Sequence, residues 1–216
     1  EGVDKVQLEK RLDYFVSKGC KIADHGFDDF SDTQNIEWLI EKCFEKGVVL
    51  QLHFGTFRNV NTAAFNKIGK DSGFDVFRAS VDTDALARLL DKMYTKLGGL
   101  PKIILYPLND ECLRAVCAIS GAFPNVIVGA AWWFNDTVSG IKRQLETVSE
   151  YAVLGTNLGM LTDSRSFSSY VRFDFYRRIL SSFIADKVDH GEYDEKSALA
   201  LAKDIAYNNV KEVLGL

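Results

Sequence analysis

One stretch of the sequence, Leu158-Gly159-Met160-Leu161-Thr162-Asp163-Ser164-Arg165-Ser166, runs from apolar residues into a carboxylate, hydroxyls and a guanidinium. A continuous apolar run is typical of a parallel strand that is buried on both faces. In α/β barrels the loops after the carboxyl ends of such strands carry the catalytic residues. Ionic networks also collect at strand ends, so this stretch by itself fits a salt-bridged strand end equally well.

Four further apolar runs precede this stretch and predict strands at residues 20–23, 48–52, 102–106 and 126–131. Apolar positions at helical spacing predict helices around them, at residues 3–18, 36–46, 85–97, 111–120, 140–151, 173–188 and 196–214. Strands that alternate with helices form a parallel sheet with right-handed crossovers. The sequence therefore predicts an α/β protein.

Polar and aromatic residues follow each of the five predicted strands. Because the carboxyl ends of parallel strands share one rim, we expect these residues to meet there. They are Asp24, His25, His53, Arg58, Asn59, Asn109, Trp133, Asn135, Asp136, Asp163 and Arg165. The agreement of five strand ends favours a binding or catalytic site. No glycine-rich phosphate loop follows the first strand, which disfavours a nucleotide site. An open sheet and part of a barrel both fit the pattern.

Composition narrows the class of protein. The 216 residues could form one large domain or two small ones. A net charge of −4 with no basic cluster predicts no nucleic-acid partner. No apolar run approaches the roughly 18 to 20 residues that span a bilayer, so no membrane partner is indicated and a cytoplasmic protein is favoured. The four cysteines lack metal-site spacing and are predicted to be reduced core residues.

Several longer motifs, occurring in the same order, closely resemble the uronate isomerase family. The likeness covers nearly the whole chain and is carried by Gly19-Cys20-Lys21, Asp24-His25-Gly26, Leu50-Gln51-Leu52-His53-Phe54-Gly55, Arg58-Asn59, Ala131-Trp132-Trp133-Phe134-Asn135-Asp136, Arg143-Gln144-Leu145-Glu146, Gly159 through Ser166, Arg177-Arg178-Ile179-Leu180 and Tyr207-Asn208-Asn209.

The resemblance implies a divergent member of the amidohydrolase superfamily with a TIM (β/α)8 barrel. It implies an intramolecular oxidoreductase that interconverts D-glucuronate with D-fructuronate, and D-galacturonate with D-tagaturonate, by moving a proton between C2 and C1 through an enediol. By that likeness Asp163, Arg165 and His53 are catalytic. By the same likeness Asp163 is also a ligand of a divalent metal, typically zinc. The substrate-binding residues implied are Arg58, Asn59, Trp132, Trp133 and His25.

The chain departs from the family in its length and its histidines. Family members are roughly twice as long, and their first strand ends in a His-x-His pair that this sequence lacks. Counted backward from the Asp163 strand as the eighth, the chain holds strands four to eight. Residues 1–216 would then be the C-terminal part of one barrel domain, without strands one to three.

The missing N-terminal half is accordingly the expected partner, and it would supply the two other metal ligands. A homo-oligomer is also expected, and the chain alone is expected to be inactive. Two alternatives stay open. One is a noncatalytic fragment or sugar-acid binding module. The other is a metal-dependent hydrolase, which Tyr106-Pro107-Leu108-Asn109 disfavours because no histidine ends that strand.

Overall fold

A computed structural model of the protein describes residues 4–216. The helices are α1 (Lys5–Ser17), α2 (Gln34–Lys46), α3 (Thr62–Ile68), α4 (Thr83–Leu97), α5 (Asp110–Ala122), α6 (Val138–Tyr151), α7 (Val171–Asp189), α8 (Glu195–Lys203) and α9 (Asn209–Leu214). The strands are β1 (Ile22–Phe27), β2 (Val49–Phe54), β3 (Thr56–Phe57), β4 (Val76–Phe77), β5 (Ile103–Pro107) and β6 (Val126–Val128). Residue 3, where the first helix was predicted to begin, lies outside the described residues.

Four strands form one parallel sheet in the order β1-β2-β5-β6. The register pairs Ile22 with Val49, Leu50 with Ile103, and Ile103 with Val126. Spatial order follows chain order because a helical crossover returns the chain to the same end of the sheet each time. The predicted α/β fold with a parallel sheet is confirmed.

Alternation along the strands gives the sheet two different faces. On one face Leu50, Leu52, Ile103 and Leu105 are fully buried in a core that α2, α4, α5, α6 and α7 complete. On the other face lies a smaller cluster, formed by Val49, Ile104, Tyr106, Leu108, Ala130 and Trp132, against which Leu158, Leu161, Val213 and Leu214 pack. Asp24, Gln51, His53 and Tyr106 project from this second face, so it carries the candidate site.

The prediction of a fifth strand in the stretch 158–166 is wrong, because within residues 4–216 the parallel sheet has four strands. Residues 157–165 have no regular secondary structure apart from a bend at Arg165. Gly159 has φ +75°, and a β-carbon there would lie 2.6 Å from the carbonyl oxygen of Ile205. Its N–H donates to Oδ1 of Asn157 at 2.9 Å instead of to a strand. Gly159 and Met160 are buried and Leu158 and Leu161 are partly buried, but a side chain and not a neighbouring strand bonds the backbone of Gly159.

The remaining predictions of secondary structure and burial are confirmed in part. Between β2 and α4 the chain forms α3 and the short antiparallel pair β3 and β4. The last helix is interrupted by a π turn at Asp204–Asn208. All four cysteines are free; Cys43, Cys112 and Cys117 are buried in the core as predicted, whereas Cys20 is only partly buried. None of the helices formed by residues 4–216 has the length and apolarity to cross a membrane.

Candidate active site

An open cleft of about 610 Å³ lies at the carboxyl ends of β2 and β6. A smaller cavity of about 110 Å³ adjoins it. Three residues, His53, Trp132 and Asp163, line both. The cleft falls within the roughly 300–1,000 Å³ of small-molecule sites. The cleft at the predicted rim is therefore large enough for a small molecule.

His53 lies at the base of this cleft, on the inner side of β2. Its Nδ1 is 3.1 Å from Oδ1 of Asp24, on the neighbouring strand β1. The ring lies directly over Gly26, where a β-carbon would come within 2.1 Å of Nε2. The indole of Trp132 meets the imidazole edge to face, with centroids 5.5 Å apart. The imidazole is therefore held in one orientation.

Aromatic side chains form one wall of the cleft. The rings of Trp133 and Phe134 stack at 4.7 Å, and the rings of Trp132 and Trp133 are 5.7 Å apart. Trp133 has φ +51°, which turns the chain sharply after the extended Trp132. This turn lets two adjacent tryptophans line the same cleft. The guanidinium of Arg58 lies 5.1 Å from the Trp133 ring, a cation–π arrangement.

Asp75 holds the loop that carries Arg58. One carboxylate oxygen accepts from Nη1 of Arg58 at 3.0 Å, and the other accepts from the backbone N–H of Asn59 at 2.8 Å. The Asp75 side chain is only 11 % exposed, whereas that of Arg58 is 42 % exposed. Arg58 thus presents a cation to the cleft while one of its nitrogens is anchored.

Arg172, for which no role was predicted from the sequence, connects the segment after the aromatic wall to the segment before Asp163. It pairs with Asp136 after the aromatic wall, and its Nη1 donates to the carbonyl of Thr162 at 3.1 Å. Thr162 directly precedes Asp163, whose backbone adopts φ +46°. Arg172 therefore positions the loop that brings Asp163 to the cleft.

Tyr106 is a second residue without a predicted role. It pairs in register with His53 and lines the smaller cavity. Its hydroxyl donates to Oε1 of Gln51 at 2.6 Å. Burial, with a smaller contribution from the charge of Asp24, raises the pKa of Tyr106 well above its usual value. Tyr106 therefore stays a neutral hydrogen-bond donor.

The structure brings together five of the eight predicted site residues, namely His53, Arg58, Trp132, Trp133 and Asp163. Asn59 contributes a backbone contact to Asp75, and Arg165 is exposed outside the lining of either cavity. His25 is not brought to the cleft. By strand alternation its side chain points away from that of Asp24, and it borders an apolar groove between α1 and α2 that Asp24 also lines.

The described residues do not by themselves fit a complete metal centre. In residues 4–216 no group of three or more His, Cys, Asp or Glu side chains could hold a metal ion. Asp163 supplies a carboxylate at the cleft, and a metal there would need further ligands from elsewhere.

Comparison with known proteins gives one consistent answer. The sequence profile of the family described as glucuronate isomerase (UxaC) matches residues 29–214. The curated uronate isomerase of Caldanaerobacter subterraneus is 36 % identical over 97 % of this chain and 53 % of its own length. That of Staphylococcus haemolyticus is 39 % identical over 94 % of this chain and 52 % of its own length. The chain thus spans about half the length of the curated relatives it matches.

Solved structures agree with the sequence relatives. The uronate isomerase of Thermotoga maritima superposes with a TM-score of 0.88 at 29 % identity, over 96 % of this chain and 52 % of that one. The glucuronate isomerase of Caulobacter crescentus gives a TM-score of 0.86 at 28 % identity, over 96 % and 50 %. With the family profile covering most of the sequence, this chain belongs to the glucuronate isomerase family.

Proposed function

We propose that this chain is the C-terminal half of a uronate isomerase. The complete enzyme would interconvert D-glucuronate with D-fructuronate and D-galacturonate with D-tagaturonate. The observation that carries the proposal is the shared cleft: His53, Arg58 and Asp163 converge on one aromatic-walled site in a chain of this family. The same proposal makes the four-stranded sheet a sector of a (β/α)8 barrel that the N-terminal half closes.

The reaction is redox-neutral and needs only proton transfers. A base takes the proton from C2, the C–H electrons form the C1=C2 double bond, and O1 gains a proton to give the enediol. A proton then returns to C1 while O2 loses its own, which leaves the ketose. General acid–base catalysis of this kind contributes about 10²- to 10⁴-fold. We assign the proton-carrying roles to His53 and Asp163, because both line the two adjoining cavities.

The substrate carboxylate needs a cation at the far side of the cleft. Arg58 fits because its guanidinium is partly exposed and lies over Trp133. A guanidinium also matches carboxylate geometry. Trp132 and Trp133 would pack against the sugar, and Arg165 would reach the substrate only if its exposed loop turns toward the cleft. In the same proposal Asp163 is one ligand of a divalent metal, for which zinc is the first candidate. This metal would polarise the carbonyl. Two histidines from the N-terminal half would be its other ligands.

The test is ketose formation from D-glucuronate and D-galacturonate, measured on this chain alone and on the protein assembled with its N-terminal half. We expect turnover only in the assembled protein. Asp163→Asn should abolish most of it, whereas Asp189→Asn, at the exposed end of α7, should leave it unchanged. Absence of ketose in the assembled protein would contradict the proposal, and binding of hexuronate without turnover would indicate a noncatalytic sugar-acid module instead.

A further inference from the structure

The contact between Asp24 and His53 joins two strands at the bottom of the cleft. In the register Asp24 lies beside Gln51, and His53 lies beside Gly26, so the carboxylate reaches diagonally along β2 to the imidazole. The distance from Oδ1 to Nδ1 is 3.1 Å. The side chain of Asp24 is 52 % exposed and that of His53 only 16 %. The carboxylate therefore stays hydrated while it contacts a ring that is largely withdrawn from water.

This contact defines which nitrogen of His53 carries hydrogen. An ionised carboxylate can only accept a hydrogen bond, so Nδ1 is the donor and Nε2 of the neutral ring has a free lone pair. Within residues 4–216 Nε2 has no hydrogen-bond partner. Gly26 below the ring and Trp132 at its edge leave the imidazole little freedom to turn over.

Neighbouring polar groups do not compete for Asp24. The hydroxyl of Tyr106, which lines the smaller cavity together with Asp24, donates to Oε1 of Gln51 at 2.6 Å. The raised pKa of Tyr106 keeps that hydrogen in place. Arg58 is engaged with Asp75, and Arg172 with Asp136. Among the cleft residues, the Asp24 carboxylate is therefore left to His53.

We propose that Asp24 is a positioning residue of this active site. It fixes the tautomer of His53 with hydrogen on Nδ1, so that Nε2 is the atom that accepts the substrate proton and later returns it. The inference rests on the proposed isomerase function and deepens it, because it assigns the proton-carrying atom and the residue that holds it ready.

The direct test reads the tautomer of His53. The chain has only three histidines, so ¹⁵N-histidine labelling of the assembled protein gives a spectrum in which His53→Gln identifies the His53 signals. We expect hydrogen on Nδ1 in the parent protein. Asp24→Ala should move it toward Nε2, and Asp24→Asn, which retains an acceptor oxygen, should retain part of the original population. An unchanged tautomer in Asp24→Ala overturns the proposal.

Kinetics supply the second measurement. Asp24→Ala should lower kcat by about 10- to 100-fold, as expected when a general base is misoriented, while KM changes less than about threefold because Arg58 still binds the carboxylate. Asp24→Asn should fall between these two proteins, and Asp91→Ala, on the exposed side of α4, should behave like the parent. A rise in KM with kcat unchanged in Asp24→Ala would overturn the proposal. If the parent protein makes no ketose, the isomerase function fails, but the tautomer measurement still tests the Asp24–His53 contact.

Discussion

Arg172 is the residue whose loss should disturb the rim most. The side chain of its partner Asp136 is only 7 % exposed, so Arg172→Gln would leave a buried carboxylate without its cation. We expect the free energy of unfolding to fall by about 2–4 kcal/mol. Turnover should fall as well, since the segment before Asp163 loses its anchor. Urea unfolding and ketose formation measure the two effects.

A matched control for this change is Arg178→Gln on α7. Arg178 bonds Asp174 one helical turn away, and both side chains are exposed. Such surface pairs contribute little to stability. If Arg178→Gln destabilised the protein as much as Arg172→Gln, the role given to the buried pair would be wrong.

His25 predicts a pH dependence that is separate from the cleft. Partial burial beside the apolar groove lowers the pKa of His25 below 6.5. The charge of Asp24 raises this pKa by a smaller amount, and that of His53 lowers it further. As pH falls below 6.5 the unfolded chain takes up this proton before the native protein does, so stability declines until the native pKa is reached. Above pH 6.5 the residue contributes no pH dependence.

An NMR titration of the histidine ring protons should therefore place the His25 midpoint below 6.5. Urea midpoints between pH 7 and 5 should vary less in His25→Gln than in the parent protein. His190→Gln, at the exposed end of α7, should show the parent's dependence. A His25 midpoint above 6.5 would contradict the prediction.

Residue identities were predictable where they follow strands, and less so where they act through space. Five of eight predicted residues reach the cleft because strand ends in a parallel sheet share a rim. His25 does not, because adjacent residues on a strand face opposite ways. Nothing in the sequence ties Arg172 to Asp136, since the contact crosses 36 positions and depends on how α7 docks.

Among the elements, the chain around residues 155–159 is held by the side-chain amides of Asn157 and Asn209. Oδ1 of Asn157 accepts from the N–H of Gly159. Nδ2 of Asn209 donates to the carbonyls of Gly155 and Asn157, at 2.7 and 2.8 Å. Asn209→Ala removes both bonds, so we expect a loss of about 1–2 kcal/mol in the free energy of unfolding. Amide exchange at residues 158–163 should quicken at the same time.

Asn208→Ala provides the comparison, because that amide bonds Asp204 within the same helical turn. It should change exchange at residues 158–163 little. Equal acceleration in both variants would mean that Asn209 acts by general helix stability and not by holding the stretch.

Helices were easier to predict than this stretch for a physical reason. A periodic apolar stripe with an N-cap such as Asp82, which accepts from Ala85 at 2.8 Å, and a left-handed end at Gly98 mark α4 clearly. A short apolar run carries no comparable mark. Buried strand and buried irregular chain look alike in sequence, and two of the side-chain bonds that distinguish them come from Asn209, more than fifty positions along the chain.

For the whole molecule, the exposed edge of β1 is the feature that matters most. Within the described residues β1 pairs only with β2, so its other edge has no strand beside it. An open edge and a partly bare inner face favour association. We expect this chain alone to bind a hydrophobic dye and to unfold at low urea concentration.

On the proposed function, addition of the N-terminal half should suppress dye binding and raise the urea midpoint. The amides of Asp24 and Gly26, which by the alternation of a parallel ladder point to the open edge, should then become protected from exchange. Unchanged protection at these two amides would argue against closure of the sheet across β1. Overall class and family were accessible from the sequence, whereas the partner of this edge was predicted only through the resemblance to longer family members.

The position of α9 has a consequence for traffic through the site. Val213 and Leu214 join the cluster of Val49 and Ile104, and Ile22 packs against the same cluster. Ile22, Val49 and Ile104 lie toward the amino ends of their strands, opposite the rim. Helix α9 therefore covers this face of the sheet at the amino ends of the strands, opposite the cleft. A molecule would therefore approach the cleft from the rim that carries Arg58 and the aromatic wall, and not from the end of the strands that α9 covers.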